Sequence, residues 1–278
     1  MIVRDEVAAL PRCLDALWCA LDDVAFTDTG STDGTAEWLR AKTGVEPERV
    51  AFDPRIDRFD VVRNHNAARL RTDWVLHLDA DEVLTPGDLA RLIDAAGAAD
   101  GAMLPWITTT PEGRFDDYKC PLVRRGVPHV GRVHENLQQG LRARGMRAVY
   151  VAEARLDHLP DPTRAGAKQR RYREALGRAV AEDPSDARSW WFLGEDARAV
   201  GAVDDAATAF ERAAAGDARR FPVEVASAAL ARAELGGDAG RWRAAALDVW
   251  RATRDDFEWA ARPDVAALPE ASFAALGR

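Results

Sequence analysis

Asp79 and Asp81 stand one residue apart in the run His77-Leu-Asp-Ala-Asp-Glu-Val-Leu84, directly after an apolar stretch that begins at Trp74. A buried strand ends poorly in two carboxylates unless positive charge meets them, and hard divalent cations favour carboxylate oxygens. The pair therefore points to a cation site at a strand end. A helix cap or a turn uses the same residue type, because Asp side chains bond nearby backbone N–H groups. An upstream segment adds weight to the chemical reading. Val24-Ala-Phe-Thr-Asp-Thr-Gly-Ser-Thr-Asp-Gly-Thr35 reads as a strand breaking into a polar turn, and Ala36-Glu-Trp-Leu-Arg40 then opens a helix. Strand, polar loop and helix N-terminus in that order make a common nucleotide-binding arrangement.

These positions need a scaffold. From Met1 to about Pro160 short apolar strands alternate with helical stretches. Strands are expected at 2–3, 24–27, 50–52 and 74–78, and helices at 10–21, 35–42, 59–71 and 86–96, the last with Pro86 at its start. This alternation predicts an α/β, Rossmann-like domain over 1–160 with a mostly parallel sheet.

Beyond Pro160-Asp-Pro162 the composition shifts to Ala, Arg, Asp and Glu at helical period, with no strand evident, so 161–278 is expected to be all α. Trp190, Leu193, Gly194, Ala206 and Phe210 fall at the tetratricopeptide spacing W-x2-L-G followed by A-x3-F, with Gly201 between the two helices and Ala197 where Tyr is usual. Helical stretches at 168–182, 223–235 and 242–253 would continue the stack.

Composition limits the classes of function. With 278 residues, 47% of them hydrophobic, the chain can bury a sizeable core. No apolar stretch approaches a membrane span, and Arg4, Asp5 and Glu6 interrupt anything shaped like a signal peptide, so a cytoplasmic protein is expected. A net charge of −8 argues against nucleic acid as the main partner. Cys13, Cys19 and Cys120 lack metal-like spacing and read as reduced thiols.

Met1-Ile-Val-Arg-Asp-Glu6, Asp28-Thr-Gly-Ser-Thr-Asp-Gly-Thr35, Arg63-Asn64 and Asp79-Ala-Asp-Glu82, in this order and spacing, resemble family 2 glycosyltransferases of the GT-A fold. Val133-His-Glu135 and His158, followed by helical repeats, resemble the subgroup with a C-terminal tetratricopeptide-like region, some members of which glycosylate peptides. The resemblance extends to about Ala214; similar proteins have several strand residues before the position of Met1, so either the first strand is shortened here or the start lies upstream. It also implies roles. Asp28 would meet the nucleotide base, Arg63 would lie near the nucleotide or its phosphates, and Asp79 would approach the ribose and the water shell of the metal. Asp81 would ligate Mg²⁺ or Mn²⁺ on the diphosphate, and His158 would add a metal or phosphate contact, with His134 as its rival and a satisfied interface histidine as the plainer role. The chemical need is clear: a departing nucleoside diphosphate develops negative charge that a divalent cation stabilises without proton transfer.

Glu135 is the candidate general base. An inverting transfer brings the acceptor in opposite the leaving group, so a carboxylate must come from a part of the chain remote from the Asp pair. A surface Glu at the start of the helical stretch 136–141 has the same sequence appearance, and Asp116 and Asp117 are alternative bases. Lys168 and Arg171, one turn apart in a basic cluster with Arg164, Arg170 and Arg173, either reach the diphosphate or form an exposed helix face. Ser31 and Asp33 suit capping, and Trp106 and Trp190 suit either the core or stacking on a sugar.

The function expected is therefore metal-dependent, inverting transfer of a sugar from a nucleotide donor, UDP-linked by resemblance, to a peptide or small-molecule acceptor. A non-catalytic sugar-nucleotide-binding scaffold is the rival from another class. A nucleotidyltransferase is disfavoured by the lack of a Gly-rich phosphate loop followed by Lys.

Overall fold

The computed structural model describes residues 1–262 apart from 54 and 112; the side chains of 164, 165, 167 and 168 also lie outside the described set. The chain divides into two compact units, one of residues 1–131 and 135–168, the other of 132–134 and 169–278.

The first unit opens with β1 (Ile2–Val3), α1 (Leu10–Leu14), β2 (Thr27–Asp28), α2 (Thr35–Thr43), β3 (Glu48–Arg49) and α3 (Phe59–Ala67). Strands β1, β2 and β3 form a parallel three-stranded sheet in that order. Then come β4 (Trp74–Leu76), β5 (Glu82–Leu84), α4 (Pro86–Ala96), β6 (Gly101–Thr110), β7 (Gly113–Arg124), α5 (Gln138–Arg142), β8 (Ala148–Tyr150) and β9 (Leu156–His158). Here the order is β4-β7-β6-β9-β5, with β8 also paired to β6. Parallel pairing joins β6 to β8 along Gly101–Met103 and to β9 along Trp106–Thr108, whereas β4–β7, β6–β7 and β5–β9 are antiparallel.

Local chemistry explains the best-defined elements. At α4 the Thr85 hydroxyl accepts the Asp88 N–H at 3.1 Å and Pro86 occupies the first turn, where a missing N–H costs nothing. Leu89, Leu92 and Ala96 then share one face and pack with Leu84, Leu104, Leu122 and Leu156 in the main core. At the polar turn after β2, Asp28 Oδ1 accepts the N–H groups of Gly30 and Ser31 at 2.9 and 2.7 Å, and Gly30 takes the left-handed region at φ 110°. Asp33 bonds the N–H of Thr35 at 2.9 Å, as a residue leading into α2 should, while the Ser31 hydroxyl instead accepts the Asp5 N–H at 3.0 Å.

The second unit contains α6 (Ala165–Glu182) from residue 169 onward, α7 (Ala187–Ala199), α8 (Val203–Ala214), α9 (Pro222–Glu234) and α10 (Ala239–Thr253). The repeat spacing has a packing cause. A Cβ on Gly194 would come within 2.5 Å of the Phe210 ring, so the glycine lets α8 seat Phe210 on α7 beside Trp191, whose ring centroid is 5.3 Å away. Ala206 and Phe210 are fully buried, and Ala197 and Trp190 pack against their cluster. Among the described residues no helix is long and apolar enough to cross a membrane.

Candidate active site

Arg63 projects from α3 and is the centre of the site. Its Nη2 donates to Asp79 Oδ1 at 2.7 Å and its Nε donates to Glu135 Oε1. One guanidinium thus joins the strand-end carboxylate to the candidate base, although 72 residues separate Arg63 from Glu135. Lys119, on β7, reaches the other side of Asp79 at 3.1 Å and also donates to Glu82 at 2.6 and 2.8 Å. Glu82 is fully buried and accepts further N–H groups from Asp79 and from the Trp106 ring, each at 2.8 Å. Burial pushes the Glu82 carboxyl pKa up despite Lys119 beside it. Asp79 goes the other way: burial opposes its charge, but Arg63 and Lys119 hold it well below the usual carboxylate range.

Asp81 occupies a separate position two residues on. Its Oδ2 lies 3.3 Å from His158 Nε2, and both side chains retain some exposure, 20% and 12%. The expected metal set of Asp79, Asp81 and His158 does not converge as a trio, and no group of three His, Cys, Asp or Glu among the described residues could hold a metal. The physical reason is that Asp79 is committed to two cationic side chains. Asp81 and His158 remain a chemically suitable pair, an oxygen and an imidazole nitrogen, for a cation whose other ligands come from diphosphate and water.

Asp28 is buried at the end of β2. Burial opposes its ionisation, but the N–H and hydroxyl of Ser31, the N–H of Gly30 and the Arg49 guanidinium hold its pKa below the ordinary value. Of the alternative bases, Asp116 is exposed and paired with Arg114 at 2.7 Å, and Asp117 is exposed on the same strand. Trp106 is committed to the interior through Glu82, and Trp190 donates to the Pro184 carbonyl at 3.0 Å.

His134 belongs to the helical unit. It takes φ 51°, stacks on Phe192 at 3.8 Å between ring centroids and receives Arg188 Nε on its carbonyl at 2.8 Å. Arg171 is exposed on α6, and the Lys168 side chain lies outside the described residues.

Lys119, Glu82 and the histidine pair His77 and His129 were not singled out for roles from sequence. The two rings meet edge to face at 4.6 Å. Burial, with Arg63 and Lys119 nearby, keeps both neutral: His77 is pushed down to about 3 and His129 well below its ordinary value. Since the folded pKa lies below the unfolded value near 6.5, unfolding takes up protons in acid. Stability should be complete above pH 6.5 and fall as the pH drops toward 3, with each such histidine adding about 1.4 kcal/mol per pH unit within that window. Urea midpoints at pH 7 and pH 5 test this, with His129→Asn expected to flatten the slope; a wild-type midpoint unchanged over that range would refute it.

A sequence profile described as Glycosyl transferase family 2 matches residues 1–147, more than half of the chain. The chain belongs to glycosyl transferase family 2. The matched family 2 region carries Asp28, Arg63, Asp79, Asp81, Lys119 and Glu135, while His158 lies beyond it. A TPR repeat-containing protein of Synechococcus elongatus is 39% identical over 84 residues, covering 30% of this chain and 20% of that protein. The 1–349 portion of S. aureus TarS, crystallised with UDP-GlcNAc, is similar with a TM-score of 0.50 at 13% identity, over 93% of this chain and 90% of that one. A longer TarS chain gives 0.47 at 14% identity, over 90% of this chain and 53% of that one. The family 2 chain thus spans about a fifth of the Synechococcus protein and about half of the longer TarS. Its architecture is the α/β GT-A fold followed by a helical, tetratricopeptide-like region.

Proposed function

We propose that this protein is a metal-dependent, inverting glycosyltransferase that moves a sugar from a UDP-linked donor to a peptide or small-molecule acceptor. Membership of family 2 supports sugar transfer. The observation that carries the residue assignment is Arg63, bonded at once to Asp79 and Glu135. The complex of TarS with UDP-GlcNAc fits a UDP-linked donor.

In this reading the Asp28 turn meets the nucleotide base, and Asp79, held by Arg63 and Lys119, faces the ribose and the water around the metal. Asp81 and His158 would hold Mg²⁺ or Mn²⁺, which would supply positive charge toward the departing diphosphate. Glu135 takes the proton from the acceptor as it attacks, and Arg63 fixes the carboxylate for that task.

Calorimetry with UDP tests the metal assignment. Mn²⁺ should strengthen UDP binding to the wild type, and Asp81→Asn should remove that gain while the protein stays folded. Equal affinity with Mn²⁺, with EDTA and in the variant would sink the assignment.

A further inference from the structure

Glu82 has no assigned role in sugar transfer, although four hydrogen bonds converge on its side chain. It opens β5 and is fully buried. Its Oε1 accepts from the Trp106 indole N–H at 2.8 Å and from Lys119 Nζ at 2.6 Å, and its Oε2 accepts from the Asp79 N–H and again from Lys119, both at 2.8 Å. The Asp79 contact is returned, because the Glu82 N–H donates to the Asp79 carbonyl at 3.1 Å. The turn Asp79-Ala-Asp-Glu82 is therefore closed from both ends.

The partners of Glu82 in turn hold residues of the proposed donor site. Lys119 reaches Asp79 Oδ2 at 3.1 Å. The Trp106 ring stacks on His158 with centroids 4.5 Å apart and 21° between planes. Glu82 and His158 are direct neighbours on the β5–β9 ladder, whereas Trp106 and Lys119 belong to β6 and β7. One carboxylate on β5 thus ties both Asp79 and the plane of His158 to a common point across the sheet. The position demands an acceptor at both ends. All of its contacts come from donors, so a Gln amide would turn its NH₂ onto two of them whichever way it faced.

We propose that Glu82 is a positioning residue for donor binding: through the Asp79 N–H and Lys119 it fixes the Asp79 carboxylate, and through Trp106 it fixes the His158 ring. The inference rests on the proposed donor and cation roles of Asp79 and His158. Being fully buried, Glu82 acts through these neighbours and not by contact with the donor.

Calorimetry with UDP, in EDTA and in Mn²⁺, separates the two arms. Glu82→Gln should weaken UDP binding in EDTA by about tenfold, through Asp79, and cut the Mn²⁺ gain by a similar factor, through His158. Trp106→Phe keeps a ring beside His158 and removes the indole N–H, so it should reduce the Mn²⁺ gain several-fold while UDP affinity in EDTA stays near the wild-type value. A purely structural Glu82 predicts a lower urea midpoint with both affinities unchanged, and that result in folded Glu82→Gln would overturn the proposal. Should Glu82→Gln fail to fold, a wild-type Mn²⁺ gain in Trp106→Phe would overturn it instead. Absence of any Mn²⁺ gain in the wild type would remove the cation reading, and an unchanged UDP affinity in EDTA for Glu82→Gln would then remove the role of Glu82 as well.

Discussion

Glu135→Gln is expected to lower turnover by about 10² or more while leaving donor affinity near the wild-type value. A general base acts on the acceptor in the transition state, so its loss appears in kcat and not in donor binding. The substitution is conservative in packing: Gln keeps an oxygen that can accept from Arg63 Nε and removes only the capacity to take a proton. Loss of donor affinity in step with turnover would instead give Glu135 a binding role, and full activity would remove it from the chemistry.

Arg63→Met should cost about 3 to 5 kcal/mol of stability, because breaking a buried ion pair leaves a charge without a partner. The Arg63 and Glu135 side chains are only 16% and 8% exposed, so water cannot readily replace the guanidinium. Asp79 keeps Lys119 at 3.1 Å, and the loss should therefore fall mainly on Glu135. Adding Glu135→Gln to Arg63→Met should then recover part of the stability, since the stranded charge is gone. Urea unfolding of the two single variants and the double variant measures the coupling; a loss below about 1 kcal/mol for Arg63→Met, or no recovery in the double variant, would show that the bridge does not hold the site together.

Much of this site could be read from sequence because its residues lie in short local patterns. Helix α4 was delimited at both ends by Pro86 and Ala96, and the polar turn after β2 by its glycines and aspartates. The pairing of those residues was less accessible. Asp79 was expected near a metal, and it pairs instead with Arg63 of α3 and Lys119 of β7, two residues remote in sequence that no local pattern ties to it. The β6–β7 hairpin itself was not foreseen. Its first half, Gly101–Leu104, is buried throughout, while the start of β7 from Gly113 to Asp117 is exposed throughout, so neither stretch shows the alternation by which a half-buried strand is recognised. The mixed second sheet follows from that hairpin, and the parallel arrangement inferred from strand–helix alternation is found in full in β1–β3. Lys119 and Glu82 escaped notice because each matters through a partner distant in sequence, Lys119 through Asp79 and Glu82 through Lys119 and Trp106.

Sugar transfer from a nucleotide donor can be followed by incubating the protein with a panel of sugar nucleotides and Mn²⁺ and recording proton NMR spectra. At least one UDP-linked donor should slowly lose its sugar to water, the sugar should first be released with its anomeric configuration inverted, and EDTA should stop the release. Donors that all remain intact in the presence of folded protein, or a sugar released with its configuration retained, would contradict it.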